Sequence, residues 1–114
     1  MKQGEIWSVN LDPTEGAEIR KTRPAIIVND DAVGRLPLRV VVSLTDWKAN
    51  YGQAPWMVHV KQDAKNKLTK ASAADCFQVR SISVSRFVRR IGVVDSGSME
   101  MIQDALAAVL SISR

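Results

Sequence analysis

The sequence predicts a small, mainly β protein with one C-terminal helix: a β-barrel capped by that helix. Two segments alternate apolar and polar residues, two others are short apolar, β-branched runs, and only the final stretch repeats its apolar residues at helical spacing. Roughly five or six short strands result, which suits a barrel better than a layered α/β fold.

Glu5-Ile6-Trp7-Ser8-Val9-Asn10-Leu11 places Trp7, Val9 and Leu11 on one face, as a half-buried strand requires. Asp12-Pro13-Thr14-Glu15-Gly16 is dense in turn formers and ends it. Arg20-Lys21-Thr22-Arg23 reads as a loop with three positive charges, and Pro24 stands at the start of the next strand, where its missing N–H does least harm. The apolar run Ala25–Val28 looks buried on both faces. Asn29–Leu36 reads as a turn with room for one helical turn, and Arg39–Thr45 as a central strand. Asp46–Pro55 is a polar loop holding Trp47, Tyr51 and Gly52. In Trp56–Val60, Trp56, Val58 and Val60 oppose Met57 and His59, and Trp56 is expected in the core.

Lys61–Ala74 is polar, carries Lys61, Lys65, Lys67 and Lys70, and reads as a solvated basic loop. Cys76–Ser81 and Val88–Val94 are two further strands around a turn at Ser83–Arg86. Met99, Ile102, Leu106, Val109 and Leu110 then recur at helical spacing, and Ala105, Ala107 and Ala108 favour helix. Asp95, Ser96 and Ser98 all offer N-cap chemistry, while Gly97 argues against an earlier start.

With 114 residues, one domain spanning 1–114 is expected. No apolar run approaches the length of a membrane span, and Gly4-Glu5 interrupts any leader-like segment after Lys2, so a cytoplasmic location is expected. Cys76 is the only cysteine; it excludes an internal disulfide and a cysteine zinc site, and reads as a small buried hydrophobe. The net charge of +4 fits a polyanionic partner without requiring one.

Gly4-Glu5-Ile6-Trp7, Asn10-Leu11-Asp12-Pro13-Thr14, Gly16-x-Glu18 and Thr22-Arg23-Pro24-Ala25 occur in that order. This string resembles the opening of the MazF/PemK family of toxin endoribonucleases. The resemblance continues more loosely through Val40–Thr45, Gln78-x-Arg80-Ser81-Ile82 and the terminal helix. It implies an SH3-like barrel that dimerises, with an RNA groove across or beside the dimer interface. It also implies metal-independent cleavage of single-stranded RNA by the ribose 2′-hydroxyl, giving a 2′,3′-cyclic phosphate and a 5′-hydroxyl. A cognate antitoxin whose flexible acidic segment fills the groove is the implied inhibitor, and no cofactor or metal is implied.

That chemistry needs a base for the 2′-hydroxyl, an acid for the leaving oxygen and positive charge on the phosphorane. The single histidine, His59, excludes a histidine pair within one subunit and suits a structural place on its strand. Arg23 is the phosphate candidate, since a guanidinium grips two oxygens at once, and the family's corresponding arginine is catalytic. Thr45, ending its strand, matches the family's functional threonine and can donate to a phosphate oxygen or orient the 2′-hydroxyl. Glu18 is the candidate for general base or ribose contact, beside a simpler role of balancing Arg20 and Lys21. The resemblance suggests Gln78 and Arg80 lie near the groove, with a buried structural role for Arg80 equally open. Trp47 and Tyr51, with Lys48 between them, suit stacking of unpaired bases. Arg20, Lys21 and Thr22 complete the expected RNA contacts. Asp30-Asp31 is a poor metal site, because adjacent residues in a turn rarely supply more than one ligand each.

The chain departs from some PemK-type members, which carry a catalytic arginine and aspartate where Asp75 and Phe77 stand here, and a histidine where Ala17 stands. The Arg23/Thr45 arrangement must then carry the reaction. Two other readings stay open: a gyrase-inhibiting toxin of the same fold, and a non-catalytic SH3-like module that binds nucleic acid or a peptide.

Overall fold

Apolar residues on both sides of a strand force it into the interior, and the second strand of this chain is such a case. In the computed structural model, which describes residues 1–11 and 22–114, the strands are β1 (Glu5–Asn10), β2 (Thr22–Ile27), β3 (Leu38–Asp46), β4 (Met57–Val60), β5 (Ser72–Ser83) and β6 (Phe87–Val93), followed by helix α1 (Ser96–Leu110). They form one antiparallel sheet in the order β4-β5-β3-β2-β1-β6. No helix among the described residues is long and apolar enough to cross a membrane.

The sheet curls on itself. Val60 from one edge strand and Ile91 from the other pack into the same core, with Ile6, Ile26, Val42, Leu44 and the Met99–Ile102–Ala105 stripe of α1. A second core on the opposite face holds Val9, Ala25, Ile27, Val41 and Ile82, flanked by Trp7, Leu11 and Phe87. Each fully buried isoleucine in these cores contributes about 2–3 kcal/mol on leaving water. Trp7, Val9 and Leu11 do share a face, but β1 is not half-buried: Ile6 is fully buried on the other side. Register shifts flanking Trp7 and Ser8 accommodate both packings.

Trp56 corrects another expectation. It lies outside β4, is 38% exposed, and meets Phe77 edge-on at 5.8 Å. The chain is still turning there, so the alternation that buries Val58 and Val60 does not extend to it. The Asn29–Leu36 turn contains one 3₁₀ turn, Asp31–Val33. Asp30 caps it, and Asp31 accepts from the Gln3 N–H at 2.7 Å. The loop expected at Asp46–Pro55 likewise contains a 3₁₀ segment, Ala49–Gln53.

The basic excursion is more than a solvated loop. Asn66, 1% exposed, accepts from the Asp63 and Leu68 N–H groups and donates to the Lys61 carbonyl. The loop so formed lies against β6: Val93 N–H donates to the Lys65 carbonyl at 3.2 Å. A Cβ on Gly92 would sit 2.5 Å from the Lys65 and Asn66 carbonyl oxygens. The excursion ends earlier than expected, because Ser72, Ala73 and Ala74 are buried residues of β5.

In α1, the Asp95 carboxylate accepts the Ser98 N–H at 2.6 Å, and the helix already includes Gly97 in its first turn. Leu110, expected on the apolar face, is 55% exposed at the fraying end.

Candidate active site

Proline has no N–H to give a sheet ladder, and at position 24 that loss opens a gap in the middle of the sheet. Just beyond β2, Val28 N–H donates to the Val40 carbonyl, so the alternate residues 26 and 24 within the strand turn toward β3 as well. At 24 no donor exists, and the β2–β3 ladder ends at Ala25↔Ser43 although β2 continues back to Thr22 and pairs with β1. Continuing the register two residues would set Arg23 opposite Thr45. Instead, both line two adjoining cavities of about 630 and 500 Å³. Arg23 is exposed and Thr45 half-buried, so among the described residues a guanidinium and a hydroxyl are open to a ligand.

A bulge in β5 builds the opposite wall. Between the pairs Val41↔Arg80 and Ser43↔Asp75, Val42 alone stands against residues 76–79 of β5. Such bulges bend a strand and re-aim its side chains. Asp75, Gln78, Val79 and Arg80 consequently line the larger cavity, although strict alternation would split them between faces. Phe77 turns outward, 66% exposed. The Asp75 carboxylate accepts the Phe77 N–H at 3.2 Å and the Gln78 side-chain Nε2–H at 3.0 Å. Arg80 is exposed, so the buried structural role left open for it does not hold. Burial, helped by the neighbouring charge of Asp75, pushes the Cys76 thiol up to about 12, which keeps it protonated and inert.

Tyr51 enters the same cavity from the 3₁₀ segment after β3. Its ring meets Trp47 edge-on at 5.9 Å, and Trp47 stacks on His59 at 4.2 Å with an interplanar angle of 10°. One face of Trp47 is therefore occupied, and neither Trp47 nor Lys48 lines either cavity. His59 has its Nε2 buried without a hydrogen-bond partner among the described residues, the setting of a packing residue. The smaller cavity gains Thr22, and Lys70 held by Asp46 at 2.9 Å. Glu18, Arg20, Lys21, Ala17 and the Asp12–Gly16 turn lie outside the described residues.

Asp75, Ser43 and Met57 also border the larger cavity, and none of them is a contact that the sequence predicts. An acid interrupting the apolar stretch Ala73–Phe77 is the available signal for Asp75. Ser43 and Met57 gave none.

Comparison with known proteins agrees with this architecture. Residues 2–110 match the family described as PemK-like, MazF-like toxin of type II toxin–antitoxin system. The chain is 30% identical to endoribonuclease MazF9 of Mycobacterium tuberculosis, over 98% of each chain. Among solved structures, it is similar to the Mycobacterium tuberculosis toxin MazF-mt6, with a TM-score of 0.77 and 22% identity over 96% of this chain and 99% of that one. A mycobacterial endoribonuclease in complex with its cognate antitoxin superposes with a TM-score of 0.78 at 19% identity, over 100% of this chain and 98% of that one. The chain belongs to the family of PemK-like, MazF-like toxins of type II toxin–antitoxin systems.

Proposed function

We propose that the protein is the toxin of a type II toxin–antitoxin pair and an endoribonuclease that cuts single-stranded RNA at a preferred short word, without a metal ion. The observation that carries this reading is the placing of Arg23 and Thr45 on either side of the gap below Ala25↔Ser43, each lining both cavities. The relatives named as endoribonucleases support the same activity.

In this reading the ribose 2′-oxygen attacks the adjacent phosphorus while its proton passes to a base, for which Glu18 is the candidate. The P–O5′ bond breaks, O5′ takes up a proton, and a 2′,3′-cyclic phosphate and a 5′-hydroxyl result. Arg23 holds two non-bridging oxygens as charge builds on them, and Thr45 donates to a phosphate oxygen or orients the 2′-hydroxyl. Arg80, Gln78 and Thr22 line the path of the strand, and Arg20, Lys21 and Lys48 add backbone contacts. Tyr51 is the stacking ring, with Trp47 as its buttress on His59.

One catalytic domain spans 1–114, works in the cytoplasm, assembles as a homodimer and is inhibited by an antitoxin with a flexible acidic segment. The likeness to an endoribonuclease solved with its cognate antitoxin supports that partner. Incubation with a long single-stranded RNA in excess EDTA tests the activity. Cuts ending in a cyclic phosphate and a 5′-hydroxyl are expected, from a species sedimenting at twice 12.6 kDa. Cleavage that stops in EDTA and returns with magnesium would overturn the mechanism. No cleavage at all would favour the gyrase-inhibiting or purely binding reading.

A further inference from the structure

A site for a polyanion gains nothing from a carboxylate unless the carboxylate faces something other than phosphate. Among the described residues, Asp75 is the one acid lining the larger cavity, amid Arg23, Arg80, Thr45, Tyr51 and Gln78. Among the described residues it forms no ion pair that would explain its presence. Its orientation is nonetheless fixed: one oxygen accepts the Phe77 N–H at 3.2 Å and the other the Gln78 Nε2–H at 3.0 Å. Each carboxylate oxygen has two lone pairs, so each keeps one acceptor site after those bonds.

Resting on the reading of this cavity as an RNA site, we propose that Asp75 is a specificity-determining residue that reads guanine. A locked carboxylate presents two parallel acceptors and no donor. Guanine alone among the four bases sets two donors side by side on its Watson–Crick edge, N1–H and the N2 amino group. Adenine and cytosine place a ring nitrogen lone pair beside their amino group, and uracil flanks its single N3–H with two carbonyl oxygens. Those acceptors would face the carboxylate's own lone pairs. Gln78 acts as the positioning residue, since its Nε2 must point at Asp75, and its carbonyl oxygen and second N–H are then set as well. Tyr51, in the same cavity, offers the ring against which the selected base or its neighbour stacks.

The test compares wild type with Asp75→Asn on a randomised single-stranded RNA pool, sequencing the new 5′-hydroxyl ends. Asparagine keeps an oxygen for the Phe77 N–H, so the bulge should survive; an unchanged Tm checks this. A fixed guanine in or beside the wild-type word is expected, and the variant should lose its preference for guanine at that position by about tenfold or more. Replacing that guanine by inosine, which lacks the N2 amino group, should slow the wild type and make little difference to the variant. A wild-type word without guanine, or an identical preference in both proteins, would overturn the assignment. If the wild type cuts no RNA, the reading of the cavity fails first and the assignment falls with it.

Discussion

Arginine and lysine carry the same charge, yet Arg23→Lys is expected to fail as a substitution. In the proposed mechanism the Arg23 guanidinium presents a planar fork of donors to two phosphate oxygens, and an ammonium cannot reproduce it. Losing such a donor to a developing oxyanion costs about 3 kcal/mol, roughly a hundredfold in rate. The side chain is exposed, so Tm should stay near wild type, and binding should fall less than turnover. Single-turnover cleavage and a thermal melt measure both; a wild-type rate would remove Arg23 from the reaction. At this scale the family resemblance singles out Arg23 and Thr45, and Tyr51 stands out as an aromatic in a polar loop; the structure sets all three around one cavity. In the sequence Asp75 stands out only as a departure from the pattern of some PemK-type members. Its significance depends on which side chains share its cavity, and that is set by the bulge.

Elements announced by periodicity formed where expected, and the departures occurred where local geometry interrupts a period. The β5 bulge adds residues opposite Val42 and resets which side chains share a face, so alternation could not have assigned Gln78, Val79 and Arg80 to one wall. Trp56 escaped the core for a similar reason. The sequence offers Asp95, Ser96 and Ser98 as caps for α1, of which Asp95 supplies it, while Gly97 proves tolerable inside the first turn. That cap gives a pH dependence of defined sign. The bonds from Ser98 hold the Asp95 carboxyl below its ordinary value of 3.8. A lowered folded value means the stability it contributes is present in full above 3.8 and is lost as pH falls through the folded value. Asp95→Ala should therefore lower Tm near neutral pH, with the gap to wild type shrinking in acid. A gap that stays constant down through the carboxylate range would show that the charge of Asp95 contributes nothing to the helix.

Over the whole molecule, the two sheet edges are joined without a strand pair. The loop held by Asn66 leaves β4 and lies on β6 at Gly92, where only a residue without Cβ fits beneath the Lys65 and Asn66 carbonyls. Gly92→Ala should cost about 2 kcal/mol or more, because both obstructing atoms are backbone. A denaturant melt would measure it, and an unchanged midpoint would mean that the loop shifts freely. None of this closure was visible in the sequence, where the loop read as a basic, solvated stretch and Gly92 as one residue of a strand. A barrel fastened by a loop can unbutton and refasten without breaking any rung of its sheet. In native-state hydrogen exchange the Val93 amide should then trade its proton well before those of β3. The strands that carry Arg23, Thr45 and Asp75 would keep their ladder while the seam breathes.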